Sequence, residues 1–163
     1  MDSLEEITPV RPVDHPRVVE VWEASVRATH HFLAPADVDF FRPLIPDVLA
    51  QVAELVCVRD AAGGVVGFLG VEDGKVEMLF VHPDVRGRGI GGRLLRHAVD
   101  VLGATRLDVN EQNEQAVGFY LKMGFFVESR SELDGMGKPF PLLRMKLRGA
   151  GSPREGPAPD ARG

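Results

Sequence analysis

This 163-residue sequence holds one cysteine, one tyrosine and one tryptophan. The single cysteine, Cys57, excludes an intrachain disulfide. Its place in the apolar run Leu55-Val56-Cys57-Val58 marks it as a buried structural thiol. No apolar run approaches the roughly 18 residues that a membrane span requires. The stretch Met1 to Glu6 is acidic and lacks an apolar h-region, so no signal peptide is expected and the expected location is cytoplasmic. There is no excess of positive charge. The net charge of −5 at pH 7 argues against general nucleic-acid binding and is compatible with a cationic substrate such as an amine. No group of histidines, cysteines and acids has metal-ligand spacing, so no metal is expected. The hydrophobic content of 44% and charged content of 26% are ordinary for one soluble globular domain with a real core.

What is present in abundance is glycine, and it concentrates in one place. Val76, Met78 and Phe80 alternate with Glu77, Leu79 and Val81, the pattern of a strand. His82-Pro83-Asp84 stops it, since proline has no N–H for a ladder and restricts its predecessor. Gly87, Gly89, Gly91 and Gly92 follow, with Arg86, Arg88 and Arg93 among or beside them. Leu94, Leu95, Ala98, Val99 and Leu102 then fall at helical spacing. The unit is strand, basic glycine loop, helix. Glycines let backbone N–H groups approach a ligand, and the helix N-terminus and arginines favour an anion such as phosphate or pyrophosphate.

The rest of the chain supplies the context. Glu5 to Arg11 reads as a short first strand, with Pro9 placing it at a sheet edge. Asp14 with Pro16 starts a helix that runs to about His30. After a linker, Asp37 caps a second helix, interrupted by Pro43 and Pro46 and resuming through Val52. Leu55 to Arg59, Val65 to Val71 and the strand at 76–81 form an antiparallel meander. Behind the glycine-loop helix, Ala104 to Val109 reads as a strand reached by a right-handed crossover. Asn113 caps a helix over Glu114 to Lys122; Phe125 to Ser129 and Pro141 to Leu147 are the last strands. Residues 149–163 read as a disordered tail, leaving 1–148 as the domain. The expected fold is an α/β mixed sheet with element order β-α-α-β-β-β-α-β-α-β-β.

That order discriminates between two readings of the loop. Gly87, Gly89 and Gly92 satisfy the dinucleotide pattern G-x-G-x-x-G, and Asp108 ends the next strand, where a ribose-binding acid can sit. A dinucleotide fold carries that pattern after its first strand, however, and here it follows the last strand of a meander. The same loop satisfies R-x-x-G-x-G from Arg86 to Gly91. With V-H-P-D-V-R-G-R-G-I-G-G-R-L-L at 81–95 and N-E-Q-A-V-G-F-Y-L-K-M-G-F at 113–125, the chain resembles the GNAT family of N-acetyltransferases over about residues 4–147. W-E-A-S-V-R-A-T-H-H-F-L at 22–33, V-N-E-Q-N-E-Q-A-V-G-F-Y at 109–120 and R-S-E-L-D-G-M-G-K-P-F-P-L-L at 130–143 are similar to the YjaB-like bacterial subgroup of that family.

The resemblance implies an acyl-CoA N-acyltransferase fold and transfer of acetyl from acetyl-CoA to a primary amine, either a small amine or a protein lysine. It implies pantetheine along Leu79, Phe80 and Val81, and pyrophosphate on Arg86, Gly87, Arg88, Gly89, Ile90, Gly91 and Gly92. Asn113 either bonds the cofactor or is a plain helix cap, and the two roles are compatible. Tyr120 lies seven residues after Asn113, about two helical turns, and so on the same face. The resemblance makes it the general acid for the departing thiolate; the other reading is a core aromatic. Glu77 is a candidate base or an exposed charge. His30, His31 and Asn110 are candidate substrate-binding groups, and the two adjacent histidines point about 100° apart on a helix, so one at most faces inward. A non-catalytic acyl-CoA-binding module is the alternative function. The state is monomer or homodimer, with no nucleic-acid or membrane partner.

Overall fold

The structure is a computed structural model that describes residues 6–149. It divides into two compact units that meet in sequence at Ala104–Thr105, and each is built around its own strands.

The first unit has four antiparallel strands in the order β1 (Ile7–Pro9), β2 (Glu54–Arg59), β3 (Val65–Glu72) and β4 (Lys75–Val81). Pro9 sits in β1, which pairs only with β2, so its missing N–H costs no ladder bond. The turn from β2 to β3 is held by Asp60, whose Oδ1 accepts from the N–H groups of Ala62 and Gly64. Helix α1 (His15–Thr29) covers one face of this sheet: Val18, Val21, Trp22 and Val26 share a buried cluster with Phe68 of β3 and Met78 of β4. Helix α4 (Ile90–Asp100) covers the other. It approaches so closely that a Cβ at Gly67 would lie 3.0 Å from Ile90 Cγ2 and 3.4 Å from Leu94 Cδ1. Gly67 and Phe68 are successive residues of one strand, so their neighbours lie on opposite faces.

The expected second helix is two: α2 (Pro35–Phe41) and α3 (Ile45–Gln51), separated by a 3-10 turn at Arg42–Leu44. Pro43 and Pro46 remove two N–H donors, and the α-helix gives way to the 3-10 turn there. Asp37 starts α2 from inside its first turn, its carboxylate accepting from the Ala34 N–H at 2.8 Å. Asp14 holds the expected N-cap position of α1. It precedes α1, but its carboxylate makes no capping bond. The buried side chain accepts from Arg59 Nη2 at 2.7 Å and Nη1 at 3.0 Å and from the Arg11 N–H at 2.8 Å, and these donors hold it well below the usual carboxylate range.

The second unit is a three-stranded antiparallel sheet, ordered β5 (Arg106–Asn110), β7 (Leu142–Leu147), β6 (Phe125–Ser131), with helix α5 (Glu114–Lys122). Leu107, Val109, Tyr120, Phe125, Leu143 and Met145 are its buried hydrophobic and aromatic side chains among the described residues. The expected elements lie within a few residues of these bounds. The expected tail from 149 falls, beyond Gly149, outside the described residues, as does Glu5 of the first strand.

Candidate active site

The glycine loop is built to leave donors open. After β4, the His82 N–H returns to the Val66 carbonyl at 2.8 Å, and His82 Nδ1 accepts from the Asp84 N–H at 3.1 Å to start a 3-10 turn over Pro83–Val85. The chain then passes Gly87 at φ +78° and Gly89 at φ +76°, a left-handed conformation that costs other residues about 1–2 kcal/mol. Gly89 is the N-cap of α4 and has no side chain to cap it. The N–H groups of Gly87, Arg88 and Gly89 donate to no backbone carbonyl among the described residues. The opening N–H groups of α4 lack intrahelical partners by the geometry of any helix start. Arg86 and Arg88 are exposed beside them. Arg96 joins them, since a Cβ at Gly92 would meet its Nη1 at 3.5 Å. Arg96 lies outside the glycine motif, and its spacing of four from Gly92 puts both on one helix face. Open backbone donors, a positive helix end and exposed guanidinium groups are the chemistry that suits an anion such as phosphate.

The strand leading into the glycine loop is irregular at one residue. Val71 lies opposite Val76 and Gly70 opposite Met78, so Glu77 has no counterpart in β3 and forms a β-bulge. A bulge re-aims a side chain. Glu77 is exposed and has no ion-pair partner among the described residues. Beyond it, Leu79, Phe80 and Val81 are half-buried. The Phe80 ring is tilted against Phe68 at 5.7 Å between centroids and against His30 at 6.5 Å.

The two candidate histidines separate cleanly. His30 is the C-cap of α1 and is half-buried, whereas His31 is exposed. Burial, with a smaller repulsion from His31, lowers the His30 imidazole from 6.5 to about 4. This outweighs the pull of the helix C-terminus, which favours a cation.

In the second unit the Asn113 side chain is buried and its Oδ1 accepts from the Ala116 N–H at 3.3 Å, the capping bond of α5. Asn110 ends β5 opposite Leu142, and its carbonyl accepts from the Asn113 N–H at 3.0 Å. Tyr120 is buried between Phe119 at 5.2 Å and Phe125 at 6.1 Å. Its hydroxyl has no hydrogen-bond partner among the described residues. A buried polar group without a partner costs about 1–3 kcal/mol, which a purely structural aromatic such as phenylalanine would avoid. Burial raises the phenol above its ordinary value, so it is protonated throughout the neutral range.

Residues 52–127, which carry the glycine loop and α5, match the family model described as the acetyltransferase (GNAT) domain. The peptidyl-lysine N-acetyltransferase YjaB of Salmonella typhimurium is 44% identical over 129 residues, covering 79% of this chain and 88% of that protein. The chain belongs to the GNAT family of acetyltransferases. Within it the chain falls in the YjaB-like subgroup. The Escherichia coli YjaB protein, also named a peptidyl-lysine N-acetyltransferase, is 42% identical over 82% of this chain and 90% of its own. The solution structure of apo YjaB from Escherichia coli superposes with a TM-score of 0.80 at 39% identity, over 89% of this chain and 98% of that one. The fold extends further: the PaiA N-acetyltransferase of Thermoplasma acidophilum, solved in complex with coenzyme A, has a TM-score of 0.66 at 22% identity, over 87% of this chain and 98% of that one. The resemblance stated from the two motifs therefore holds for fold and family. Among the described residues there is no group of three or more side chains able to hold a metal, and no helix long and apolar enough to cross a membrane.

Proposed function

We propose that this chain, as one domain over residues 1–148, transfers the acetyl group of acetyl-CoA directly to a primary amine, and that the amine is a lysine side chain of a protein or peptide or a small amine of like chemistry. The observation that carries this reading is Tyr120, the one tyrosine of the chain, buried on α5 with a hydroxyl that has no hydrogen-bond partner among the described residues. The names of the YjaB relatives support the lysine acceptor.

In this reading the cofactor pyrophosphate lies on the N–H groups from Arg86 to Gly92, steadied by Arg86 and Arg88. Pantetheine runs along the edge of Leu79, Phe80 and Val81. Asn113 keeps its capping bond through Oδ1 and offers its amide N–H to the cofactor. A lysine amine has a pKa near 10.4, so presenting it neutral at pH 7 costs about 4–5 kcal/mol. Glu77, re-aimed by its bulge, takes that proton directly or through water. The amine nitrogen bonds to the thioester carbon, the carbon–sulfur bond breaks, and Tyr120 gives its hydroxyl proton to the leaving thiolate. The acylated nitrogen then gives up its second proton, through water, to the phenolate, and Glu77 returns the first to solvent, leaving a neutral amide and the free thiol. His30, His31 and Asn110 are the groups proposed for the acceptor side. Location in the cytoplasm, and a monomer or homodimer, complete the reading.

The test is thiol release from acetyl-CoA in the presence of lysine peptides and small amines, alongside calorimetric titration of the cofactor. Saturable cofactor binding with amine-dependent thiol release is expected. Absence of cofactor binding at millimolar concentration overturns the reading.

A further inference from the structure

On the basis of the amine-acetylation reading above, we propose that His30 receives the acceptor: the lone pair on its Nε2 accepts a hydrogen bond from the N–H of the attacking amine.

The geometry at the end of α1 fixes which ring nitrogen is available. The Thr29 hydroxyl donates to the Ser25 carbonyl at 2.8 Å. The same oxygen lies 2.9 Å from His30 Nδ1. A hydroxyl has one proton, and it is committed to Ser25, so toward His30 the oxygen is the acceptor and Nδ1–H is the donor. In a neutral imidazole that leaves Nε2 with the lone pair. Nε2 has no partner among the described residues. The ring is held in place by its backbone as well: the His30 N–H donates to the Val26 carbonyl at 2.8 Å, and its carbonyl accepts from the Leu33 N–H at 3.0 Å.

The surroundings suit an amine acceptor site. Phe32 tilts against the imidazole at 5.3 Å and Phe80 at 6.5 Å. Phe80 belongs to β4, the edge assigned above to pantetheine, so His30 stands beside the strand that carries the acyl group. In these apolar surroundings the imidazole is neutral at any pH near 7. A neutral acceptor attracts an amine or ammonium donor without repelling its charge. Holding one N–H on Nε2 also turns the nitrogen lone pair away from the histidine, free for the carbonyl carbon. His30 forms no covalent bond and keeps its Nδ1 proton throughout. His31 is exposed and lacks this lock, so the bond to the attacking N–H is assigned to His30, with His31 at the outer edge of the acceptor side.

The test compares wild type with His30→Phe, His30→Gln and Thr29→Val in steady-state kinetics with acetyl-CoA and a lysine peptide, each protein checked by thermal melting and by calorimetric acetyl-CoA titration. His30→Phe keeps a flat ring and removes the acceptor; the KM for peptide is expected to rise about tenfold while acetyl-CoA affinity holds. His30→Gln carries an amide oxygen near the Nε2 position and restores most of the loss. Thr29→Val unlocks the tautomer and gives an intermediate rise. An unchanged peptide KM in His30→Phe overturns the proposal and leaves acetyl transfer standing, as does an equal loss in the phenylalanine and glutamine variants, which would mean ring packing alone matters. If wild type turns over no amine at all, the acetyl-transfer reading itself fails and takes this proposal with it.

Discussion

The half-buried His30, neutral in the folded chain, makes stability depend on pH in a window of its own. In the folded chain its imidazole is lowered to about 4, against 6.5 for the ordinary side chain. Between these values the unfolded chain binds a proton that the folded chain refuses, so stability falls as pH falls. Above 6.5 the group contributes no penalty; approaching 4 the penalty is nearly complete. At about 1.4 kcal/mol per pH unit, the loss attributable to His30 comes to about 3 kcal/mol at pH 4. Urea unfolding measured at intervals from pH 7.5 to 4, for wild type and for His30→Phe, reads this directly. The phenylalanine variant cannot titrate, and every carboxylate is common to both proteins, so the difference between the two curves isolates the imidazole. Wild type is expected to lose about 3 kcal/mol more than the variant across the window. Parallel curves would refute the reasoning, because they would mean that the ring is as hydrated in the folded chain as in the unfolded one.

Arg59→Met leaves the Asp14 carboxylate buried without its two closest guanidinium donors, and is expected to cost about 3–5 kcal/mol in urea unfolding, whereas Asp14→Ala combined with Arg59→Met costs less than the two single changes together. The same pair stabilises the fold above the ordinary aspartate value of 3.8 and loses that contribution as pH falls below it, so Arg59→Met flattens acid unfolding in that range and leaves the window of His30 unchanged. Tyr120→Phe keeps the packing on Phe119 and Phe125 and removes the proton donor; kcat for thiol release is expected to fall about 10²–10⁴-fold with cofactor affinity retained in calorimetry. Gly89→Ala forces a Cβ onto a left-handed backbone and is expected to cost about 1–2 kcal/mol in unfolding and to weaken cofactor binding, both absent in Gly118→Ala, where the glycine lies inside α5 in open space.

Local pattern carried most of the fold. The apolar runs of β2 and β3, the alternation in β4, the Asn113 cap with Gly124 closing α5, and the glycine loop between strand and helix are all short-range features, and each is decided by neighbours within a turn or a strand. The family and the loop's place after the last strand of a meander were legible for the same reason. Partnership was not. Asp14 reads as a helix cap because aspartate before a Pro-containing first turn ordinarily is one, yet its carboxylate goes to Arg59, forty-five positions away in the chain. The bulge that frees Glu77 depends on which residues of β3 face β4. Alternation in one strand cannot register an extra residue in a pair. His30 and His31 are indistinguishable as letters; packing against Phe80 and the bond to the Thr29 oxygen separate a half-buried ring from an exposed side chain. Tyr120 was placed on its helix face by spacing, but that its hydroxyl is buried and without a hydrogen-bond partner among the described residues follows only from what surrounds it. The sequence by itself determined the elements, the glycine loop between strand and helix, and the family, because those rest on local periodicity and backbone chemistry. The tertiary structure alone decided charge state, tautomer and partner, because these depend on desolvation and contacts between residues far apart in the chain.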